Sequence, residues 1–372
     1  MSTSPNPLTP WLERLRLLGQ ATRRSLRCRR RRELYYVIEG QDWVIRREGQ
    51  GILGALAQQQ PELGAHLTTS PRWLKDQLIH FGSLGCLAVG LAYTHPRNRV
   101  AATVYHGYEG MDPGMGKRLD TFLAGLPRLD AVITACNIMR RRLLNWGVPP
   151  EKLHLIPLGT SITQFHPYQP KRRQELRQKL GIPADAVCIG SFQKDGNGWG
   201  EGLEPKLIKG PDILVQVLAR LRRHYPVFAL LTGPARGYVK KGLEAAGVPY
   251  RHHFLEDFSQ LPDYYNCLDL YLATAREEGG PKCLPESMAC GIPLVTTRAG
   301  MAPDMVIPGQ NGFLTEIEDV EALVEACARI IEDPELARTL VAGGLETVRD
   351  YDWSVLARAH YRLVYQPLLA SL

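Results

Sequence analysis

The sequence predicts an α/β protein made of two doubly wound, Rossmann-like domains that face each other across a cleft. The chain has 372 residues, which is too long for one ordinary domain and suits two. From residue 33 onward, short apolar runs alternate with helical stretches. The runs are nearly continuously apolar rather than alternating, which is typical of strands buried in a parallel sheet.

The first half of the chain carries six predicted strands with helices between some of them. The strands are predicted at 34–38, 65–69, 77–81, 99–105, 130–135 and 152–157, and the helices at 51–59, 117–125 and 137–146. The segment 164–185 then breaks the alternation because it is charged and contains prolines. It marks the boundary between the two domains.

The second half resumes the same alternation. Strands are predicted at 186–192, 226–233, 250–254, 268–274 and 292–297, and helices at about 210–224, 237–246, 258–267, 319–332, 335–349 and 353–368. The predicted organisation is a tail over 1–32, a first domain over 33–165, a linker over 166–185, a second domain over 186–352 and a C-terminal helix over 353–372. Ligands of such sheets bind beyond the carboxyl ends of the strands.

Composition indicates a soluble globular protein, with 44% hydrophobic and 22% charged residues. No apolar run reaches the roughly 18 residues that span a bilayer, and the N-terminus lacks the residue order of a secretory signal. The eight cysteines form no C-x-x-C pair, so we expect free thiols in a reducing compartment. These features predict a cytoplasmic location.

The basic charge is concentrated in the tail. Residues 1–32 contain nine arginines and one glutamate, whereas the remaining 340 residues are close to neutral. Within the tail, Trp11, Leu12, Leu15 and Leu18 recur at helical spacing. Residues 11–32 therefore suit the inner face of an anionic membrane, and the alternative is a solvated tail or a helix packed on the body, since basic tails are common. No nucleic-acid-binding module is evident, and no nucleic acid partner is expected.

The stretch EEGGPKCLPESMACGIPLV at 277–295 carries the strongest functional signal. It follows a predicted strand, so its first residues should lie at the carboxyl edge of the sheet. Gly279 and Gly280 allow close backbone approach to a ligand, and Glu286 falls in the first turn of a helix. Its two carboxylate oxygens can bind a vicinal diol such as that of a ribose. A proline-rich turn followed by an ordinary helix start is the alternative.

This stretch resembles the E-x7-E signature of the family 4 glycosyltransferases, since E-G-G-x5-E is followed by SMACGIPLVTT. The similarity extends over roughly residues 99–365, through LDAVITACNIMRRRLLNWGVPPEKLHLIPLGTSITQFHP, LPDYYNCLDLYLATAREEG, AGMAPDMV and PGQNGFL. The resemblance implies the two-domain GT-B fold, with the C-terminal helix returning to the N-terminal domain. It also implies an acceptor-side first domain, a second domain that binds a nucleotide sugar, and retention of anomeric configuration.

By this resemblance, Glu286 binds the ribose hydroxyls of the donor and Glu278 lies near the donor sugar. The backbone of Gly279 and Gly280 contacts sugar hydroxyls and phosphate, and Lys282 belongs to the same donor-binding loop. No residue stands out as a covalent nucleophile.

A second motif, IGSFQKDGNGWGEGLEPKLIKGPDIL at 189–214, is a strand, a glycine-rich loop, a lysine and a helix. Lys209 is placed to meet a diphosphate at the helix start as a mobile point charge. Family members usually carry an arginine just after the strand glycine, where this chain has Ser191. Lys194 is a candidate to replace that arginine, or is a solvated loop residue.

A histidine follows the predicted strand at 99–105. His106 matches a family position close to the donor sugar, where it would position the sugar or stabilise charge. Glu109 and Asp112 are candidates to face the acceptor, with solvated loop acids as the alternative. A structural histidine is the alternative for His106.

Two weaker motifs point elsewhere. GQGILG at 49–54 matches G-x-G-x-x-G. We interpret this segment as the loop and helix start after the first strand. The match is also the basis for an alternative function, a nicotinamide-dependent oxidoreductase. DYD at 350–352 resembles a metal-binding D-x-D, but Asp352 fits a helix N-cap better. No other metal-ligand spacing occurs, so no metal cofactor is expected.

These observations predict a metal-independent glycosyltransferase, with Glu278, His106 and Lys209 as catalytic residues. The donor is a nucleoside diphosphate-sugar, and the acceptor a glycan or lipid-linked hydroxyl, as in the synthesis of cell-surface polysaccharide or glycolipid. The alternative from another class is a non-catalytic scaffold that binds a nucleotide sugar, which the serine at position 191 favours.

Overall fold

The structure, a computed structural model, describes residues 31–40, 44–108, 111 and 114–372. The chain divides into two compact units: the first ends at Gly159 and takes in Trp353–Leu372, and the second is Thr160–Asp352. The predicted return of the C-terminal helix to the first domain is therefore confirmed. Residues 166–185, for which the sequence predicts a linker, contribute a helix at Pro170–Lys179 to the second unit.

The first unit contains a six-stranded, all-parallel sheet in the order β2-β1-β3-β4-β5-β6. All six strands predicted for this half are present. The strands are β1 (Leu34–Val37), β2 (Ala65–Thr68), β3 (Leu78–Phe81), β4 (Arg99–Thr103), β5 (Ala131–Thr134) and β6 (Leu153–Leu155). The helices are α1 (Val44–Gln59), α2 (Leu84–Gly90), α3 (Met115–Gly125) and α4 (Asn137–Asn145).

The second unit contains a second six-stranded parallel sheet in the order β12-β11-β10-β7-β8-β9. Its strands are β7 (Val187–Phe192), β8 (Val227–Thr232), β9 (Tyr250–His253), β10 (Leu270–Ala273), β11 (Leu294–Thr297) and β12 (Phe313–Thr315). Its helices are α5 (Pro170–Lys179), α6 (Pro211–Leu221), α7 (Gly237–Ala245), α8 (Leu261–Tyr265), α9 (Cys283–Ala289), α10 (Ala302–Met305), α11 (Val320–Glu332) and α12 (Pro334–Thr347).

Three short elements escape the sequence pattern. Strand β12 and helix α10 have only three and four residues, and α2 is a seven-residue apolar run. Periodicity cannot distinguish a helix from a strand over so short a run. The local signal for α2 is its cap, because the hydroxyl of Ser83 accepts a hydrogen bond from the Cys86 amide at 3.1 Å.

The C-terminal segment packs against α1 in the first unit. It consists of α13 (Trp353–His360), one π-helical turn (Tyr361–Tyr365) and α14 (Gln366–Ala370). The buried His80 ring joins this segment to the sheet, since its Nδ1 lies 2.8 Å from the Tyr365 hydroxyl and its Nε2 lies 2.7 Å from Thr103 Oγ1. Burial lowers the pKa of His80 well below its ordinary value.

The interpretation of GQGILG as a loop and helix start is wrong, because residues 49–54 lie inside α1. Its first two glycines serve packing instead. A Cβ on Gly49 would lie 2.8 Å from Tyr36, and a Cβ on Gly51 would lie 2.2 Å from Trp353. These glycines let α1 approach the sheet and α13 closely, and the motif therefore gives no support to a dinucleotide site.

In the described part of the chain, seven cysteines are free thiols and six of these are buried. Among residues 31–40, 44–108, 111 and 114–372, no helix is long and apolar enough to cross a bilayer.

Candidate functional site

The candidate site of the second unit is built from two loops at the carboxyl edge of its sheet. Strands β7 and β10 are neighbours, with Ile189 paired to Leu270. The loops that follow them, 193–210 and 274–282, therefore start side by side. These loops carry most of the residues that the sequence analysis assigns to donor binding.

Direct hydrogen bonds join the two loops. Thr274 Oγ1 donates to the Gly210 carbonyl at 2.8 Å, and the Arg276 amide donates to the Ile208 carbonyl at 2.8 Å. Gly210 has φ +65°, and a Cβ at this position would lie 1.8 Å from the Thr274 carbonyl oxygen. Only glycine fits this contact, because the backbone is left-handed and no space remains for a side chain.

This contact brings together two of the predicted catalytic residues. Lys209 Nζ donates to Glu278 Oε1 at 2.5 Å, with side chains that are only 20% and 12% exposed. The loop after β11 holds the backbone of Glu278, since a Cβ on Gly300 would lie 2.9 Å from it. A cation and a carboxylate are thus held together at the sheet edge.

Arg276 is a positioning residue that the sequence analysis missed. Its guanidinium makes a bidentate ion pair with Asp212 at 2.8 and 2.7 Å and also contacts Glu318. These hydrogen bonds from Arg276 lower the pKa of Asp212. Asp212 lies in the first turn of α6, so the arginine ties the 274–282 loop to the helix that follows Lys209. The available signal was its place directly before the glutamates in REEGG.

Glu286 lies in α9, where only 9% of it is exposed. Its Oε2 accepts a hydrogen bond from the Tyr265 hydroxyl at 3.0 Å, and burial together with this carboxylate raises the pKa of Tyr265. Gly279 is buried and Gly280 partly buried in the connecting loop, and Lys282 occupies the position before α9. The 274–282 loop therefore runs directly from Glu278 to the helix that carries Glu286.

A buried arginine lies beside Ser191. Arg236 donates to the Ser191 carbonyl at 2.6 Å and to Ser191 Oγ at 3.2 Å, and its Nε forms an ion pair with Asp195 at 3.0 Å. The Arg236 and Asp195 side chains are both fully buried. Burial raises the pKa of Asp195, and Arg236 opposes that rise. The cation next to Ser191 thus comes from the loop after β8, a link that local spacing does not reveal.

Lys194 contacts an aromatic ring of its own loop. Its Nζ lies 4.0 Å from the centre of the Trp199 ring, a cation–π contact within the glycine-rich loop. Burial lowers the pKa of Lys194. The structure therefore brings Lys209 and Glu278 together and places Lys194 against the Trp199 ring.

His106 belongs to the first unit, where it follows β4 and is partly buried. The next residue is held in place, because Arg142 Nη1 donates to the Gly107 carbonyl at 2.7 Å. At the same carboxyl edge, Ser83 Oγ donates to Glu39 Oε1 at 3.1 Å, so Glu39 is a further polar residue of this edge that the sequence analysis missed. The candidates Glu109 and Asp112 lie outside the described residues.

The carboxylate of Asp352 has a structural contact. Its Oδ2 accepts a hydrogen bond from the Ile162 amide at 3.2 Å, directly before α13. Within the described ranges, no group of three or more His, Cys, Asp or Glu side chains is arranged to hold a metal ion.

Two family patterns match this sequence. The pattern described as Glycosyl transferases group 1 matches residues 203–346, and the pattern described as Glycosyltransferase Family 4 matches residues 24–164. Together these ranges cover parts of both units and include Lys209, Glu278, Glu286 and His106.

Curated relatives share about a quarter of the aligned residues. A D-inositol 3-phosphate glycosyltransferase of Xylanimonas cellulosilytica is 27% identical over 58% of this chain and 51% of the relative. The lipopolysaccharide core biosynthesis mannosyltransferase LpsB of Rhizobium meliloti is 28% identical over 65% of this chain and 67% of the relative. The alignment thus spans about half to two thirds of these relatives.

A solved structure shows the same fold. HepE from Anabaena, crystallised with UDP, superposes with a TM-score of 0.70 at 20% identity, over 92% of this chain and all of that one. Together with the two parallel six-stranded sheets, this match confirms the predicted GT-B fold.

Proposed function

Because this chain belongs to the family 4, group 1 glycosyltransferases, we propose that it transfers a sugar from a nucleoside diphosphate-sugar to an acceptor hydroxyl. The observation that carries the proposal is the contact between Lys209 and Glu278 at the carboxyl edge of the second sheet, in the loop that leads to Glu286. A sheet edge of this kind is where doubly wound folds bind nucleotides.

Different residues of the second unit bind different parts of the donor. Glu286 binds the ribose hydroxyls, and its hydrogen bond from Tyr265 orients the carboxylate for this task. The backbone of Gly279 and Gly280, with Lys282, contacts the sugar and phosphates. The UDP in the HepE crystal supports uridine diphosphate as the first nucleotide to test.

Lys209 supplies the main electrostatic contribution to catalysis. Negative charge develops on the leaving diphosphate while positive charge builds at the anomeric carbon. Lys209 stabilises the diphosphate, and Glu278 faces the donor sugar, so the ion pair seen here exchanges its partners when the donor binds. Ser191 and Lys194 belong to the phosphate end of the same site, where Lys194 takes the place of the arginine that family members usually carry.

Two finer features of the reaction are part of the proposal. Retention of anomeric configuration, with His106 positioning the donor sugar, is supported by the family resemblance. Metal independence is supported by the lysine at the phosphate end and by the structural use of Asp352. The acceptor is a glycan or lipid-linked hydroxyl, which accords with the lipopolysaccharide core pathway named for the Rhizobium relative. Residues 11–32 are proposed to contact an anionic membrane at the cytoplasmic face.

The test is a screen of nucleotide sugars for release of nucleoside diphosphate in the presence of EDTA, with the anomeric configuration of the product read by NMR. Glu286→Gln should weaken donor use about 10- to 100-fold, because it removes charge-assisted hydrogen bonds but keeps the side-chain volume. Glu325→Gln, an exposed carboxylate on α11, is the matched control and should retain full activity.

The outcomes separate the rival functions. Release that Glu286→Gln reduces and Glu325→Gln does not supports the transferase. Tight donor binding with no release for any donor and acceptor indicates the non-catalytic scaffold. Release that Glu286→Gln leaves unchanged contradicts the assignment of Glu286, and release only after Mg²⁺ is restored contradicts metal independence.

A further inference from the structure

The two units carry opposite net charge. Residues 31–159 and 353–372 of the first unit contain 17 lysines and arginines against 11 aspartates and glutamates, a net charge of +6. The second unit, Thr160–Asp352, contains 21 against 26, a net charge of −5. The near neutrality of the chain beyond the tail is therefore a cancellation between units, and the basic character is not confined to the tail.

Part of the basic charge of the first unit is gathered at one edge of its sheet, where the strands begin. Arg97 pairs with Asp76 at 2.6 Å, and Arg128 donates weakly to the His95 and Pro96 carbonyls at 3.4 Å. Arg72 lies 4.3 Å from the centre of the Tyr93 ring. We call the set Arg72, Trp73, Lys75, Tyr93, Arg97 and Arg128 the basic edge.

The basic edge also exposes large apolar side chains. Trp73 is 69% exposed at φ +73°, a left-handed backbone that few tryptophans adopt, and Tyr93 is 51% exposed. Val89, one helical turn before Tyr93, is 70% exposed. Aromatic rings beside arginine and lysine are the side chains that settle at the boundary between lipid headgroups and acyl chains.

The basic tail begins at the same edge of the sheet. Arg32 donates to the Leu369 carbonyl, and Arg99, the first residue of β4, donates to the Ser371 carbonyl at 2.9 Å. The C-terminus and the start of β4 therefore lie together, beside the point where residues 1–30 join the fold. Those 30 residues carry seven arginines and one glutamate.

We propose that the basic edge of the first unit docks on an anionic membrane surface, with Trp73 and Tyr93 inserted at headgroup depth. The exposed aliphatic Val89 favours lipid over nucleic acid, since it can enter the acyl boundary but offers no face for stacking a base. The basic edge lies at the opposite edge of the sheet from His106, so docking leaves the carboxyl edge of this sheet accessible. The inference is independent of glycosyl transfer.

The test is co-sedimentation of the full chain with vesicles of phosphatidylcholine containing phosphatidylglycerol, and with pure phosphatidylcholine. Lys75→Glu/Arg128→Glu should weaken partitioning at least about 30-fold, because each cation lost from an anionic surface costs about fivefold and each added carboxylate is repelled as well. Arg222→Glu/Arg223→Glu changes the total charge equally in the second unit and should have little effect. Raising NaCl from about 0.1 to 0.5 M should also weaken binding, because the Debye length shortens.

Trp73→Ala tests the apolar part of the dock, with Trp199→Ala, a 59% exposed tryptophan of the second unit, as its control. Quenching by brominated acyl chains should fall for the first and not the second. Circular dichroism melting identifies any variant that fails to fold. If the charge-reversed variant fails to fold, the comparison of Trp73→Ala with Trp199→Ala tests the proposal. Equal binding by the charge-reversed variant and the wild type would show that the tail alone binds. Loss of affinity for a nucleic acid, without vesicle binding by the wild type, would also overturn the proposal.

Discussion

Replacing Gly210 by alanine tests the geometry of the candidate site most directly. The new Cβ would lie 1.8 Å from the Thr274 carbonyl oxygen, whereas Cβ atoms essentially never approach a neighbour within 3.0 Å. The neighbour is backbone, so rotating a side chain cannot relieve the clash. The loops that carry Lys209 and Glu278 must separate by about 1.2 Å, the difference between these distances.

Two costs follow from this change. The left-handed conformation costs an alanine about 1–2 kcal/mol relative to glycine. The displacement acts on function, because a shift of about 1 Å at a reacting centre can lower turnover about 100-fold. We therefore expect a modest loss of stability and a large loss of kcat/KM.

Gly247→Ala separates the two costs. Gly247 has the same φ of +65° and nothing within 4 Å of the added Cβ, so it takes the conformational cost without the clash. Urea unfolding should show the conformational cost of about 1–2 kcal/mol for Gly247→Ala and a larger loss for Gly210→Ala, which adds the clash. Diphosphate release should fall only for Gly210→Ala. Similar release by the two variants would refute the claim that this contact positions Lys209 against Glu278.

Two further predictions concern stability. Burial lowers the pKa of His360 from its ordinary 6.5 to about 4. As the pH falls, the histidine of the unfolded chain is protonated before that of the folded protein, so its contribution to stability is complete above pH 6.5 and is lost as the pH drops toward 4. The expected loss in the free energy of unfolding is about 2 kcal/mol at pH 5. Urea unfolding midpoints at pH 7 and pH 5 measure this loss. If His360→Asn shows the same difference between the two midpoints as the wild type, the prediction is contradicted. Arg236→Met leaves Asp195 buried without its cation and should lower the free energy of unfolding by about 3–5 kcal/mol, measured by thermal unfolding. Adding Asp195→Asn should restore part of this loss. Additive losses from the two substitutions would contradict an interaction between Arg236 and Asp195.

Local pattern was sufficient for most elements of the fold. The eleven predicted strands are present, because most of them are apolar runs long enough to stand out between turn residues. The pattern failed where a helix imitates a motif. Gly49 and Gly51 satisfy a dinucleotide fingerprint in sequence, but their spacing reflects the close approach of Tyr36 and Trp353. Such packing partners are distant in sequence and leave no local signature.

The candidate site shows the same division. Glu278 and Glu286 are recognisable because both lie in one loop and helix of the chain. The contact of Glu278 with Lys209, the bidentate pair of Arg276 with Asp212, and the approach of Arg236 to Ser191 link residues 45 to 69 positions apart. They depend on which strands are neighbours, and the strand order was not predictable from the pattern.

The amino-acid sequence by itself determined the strands, the loops that follow them and the residue types those loops carry, because these depend on short-range periodicity and turn chemistry. Tertiary structure decided which side chains meet and how charge is distributed. Residues 353–372 carry two arginines and no acidic residue and return to the first unit, so that this unit has a net charge of +6 against −5 for the second unit. Net charge is a sum over the whole sequence, but a binding partner interacts only with the charges that the fold places together on one face.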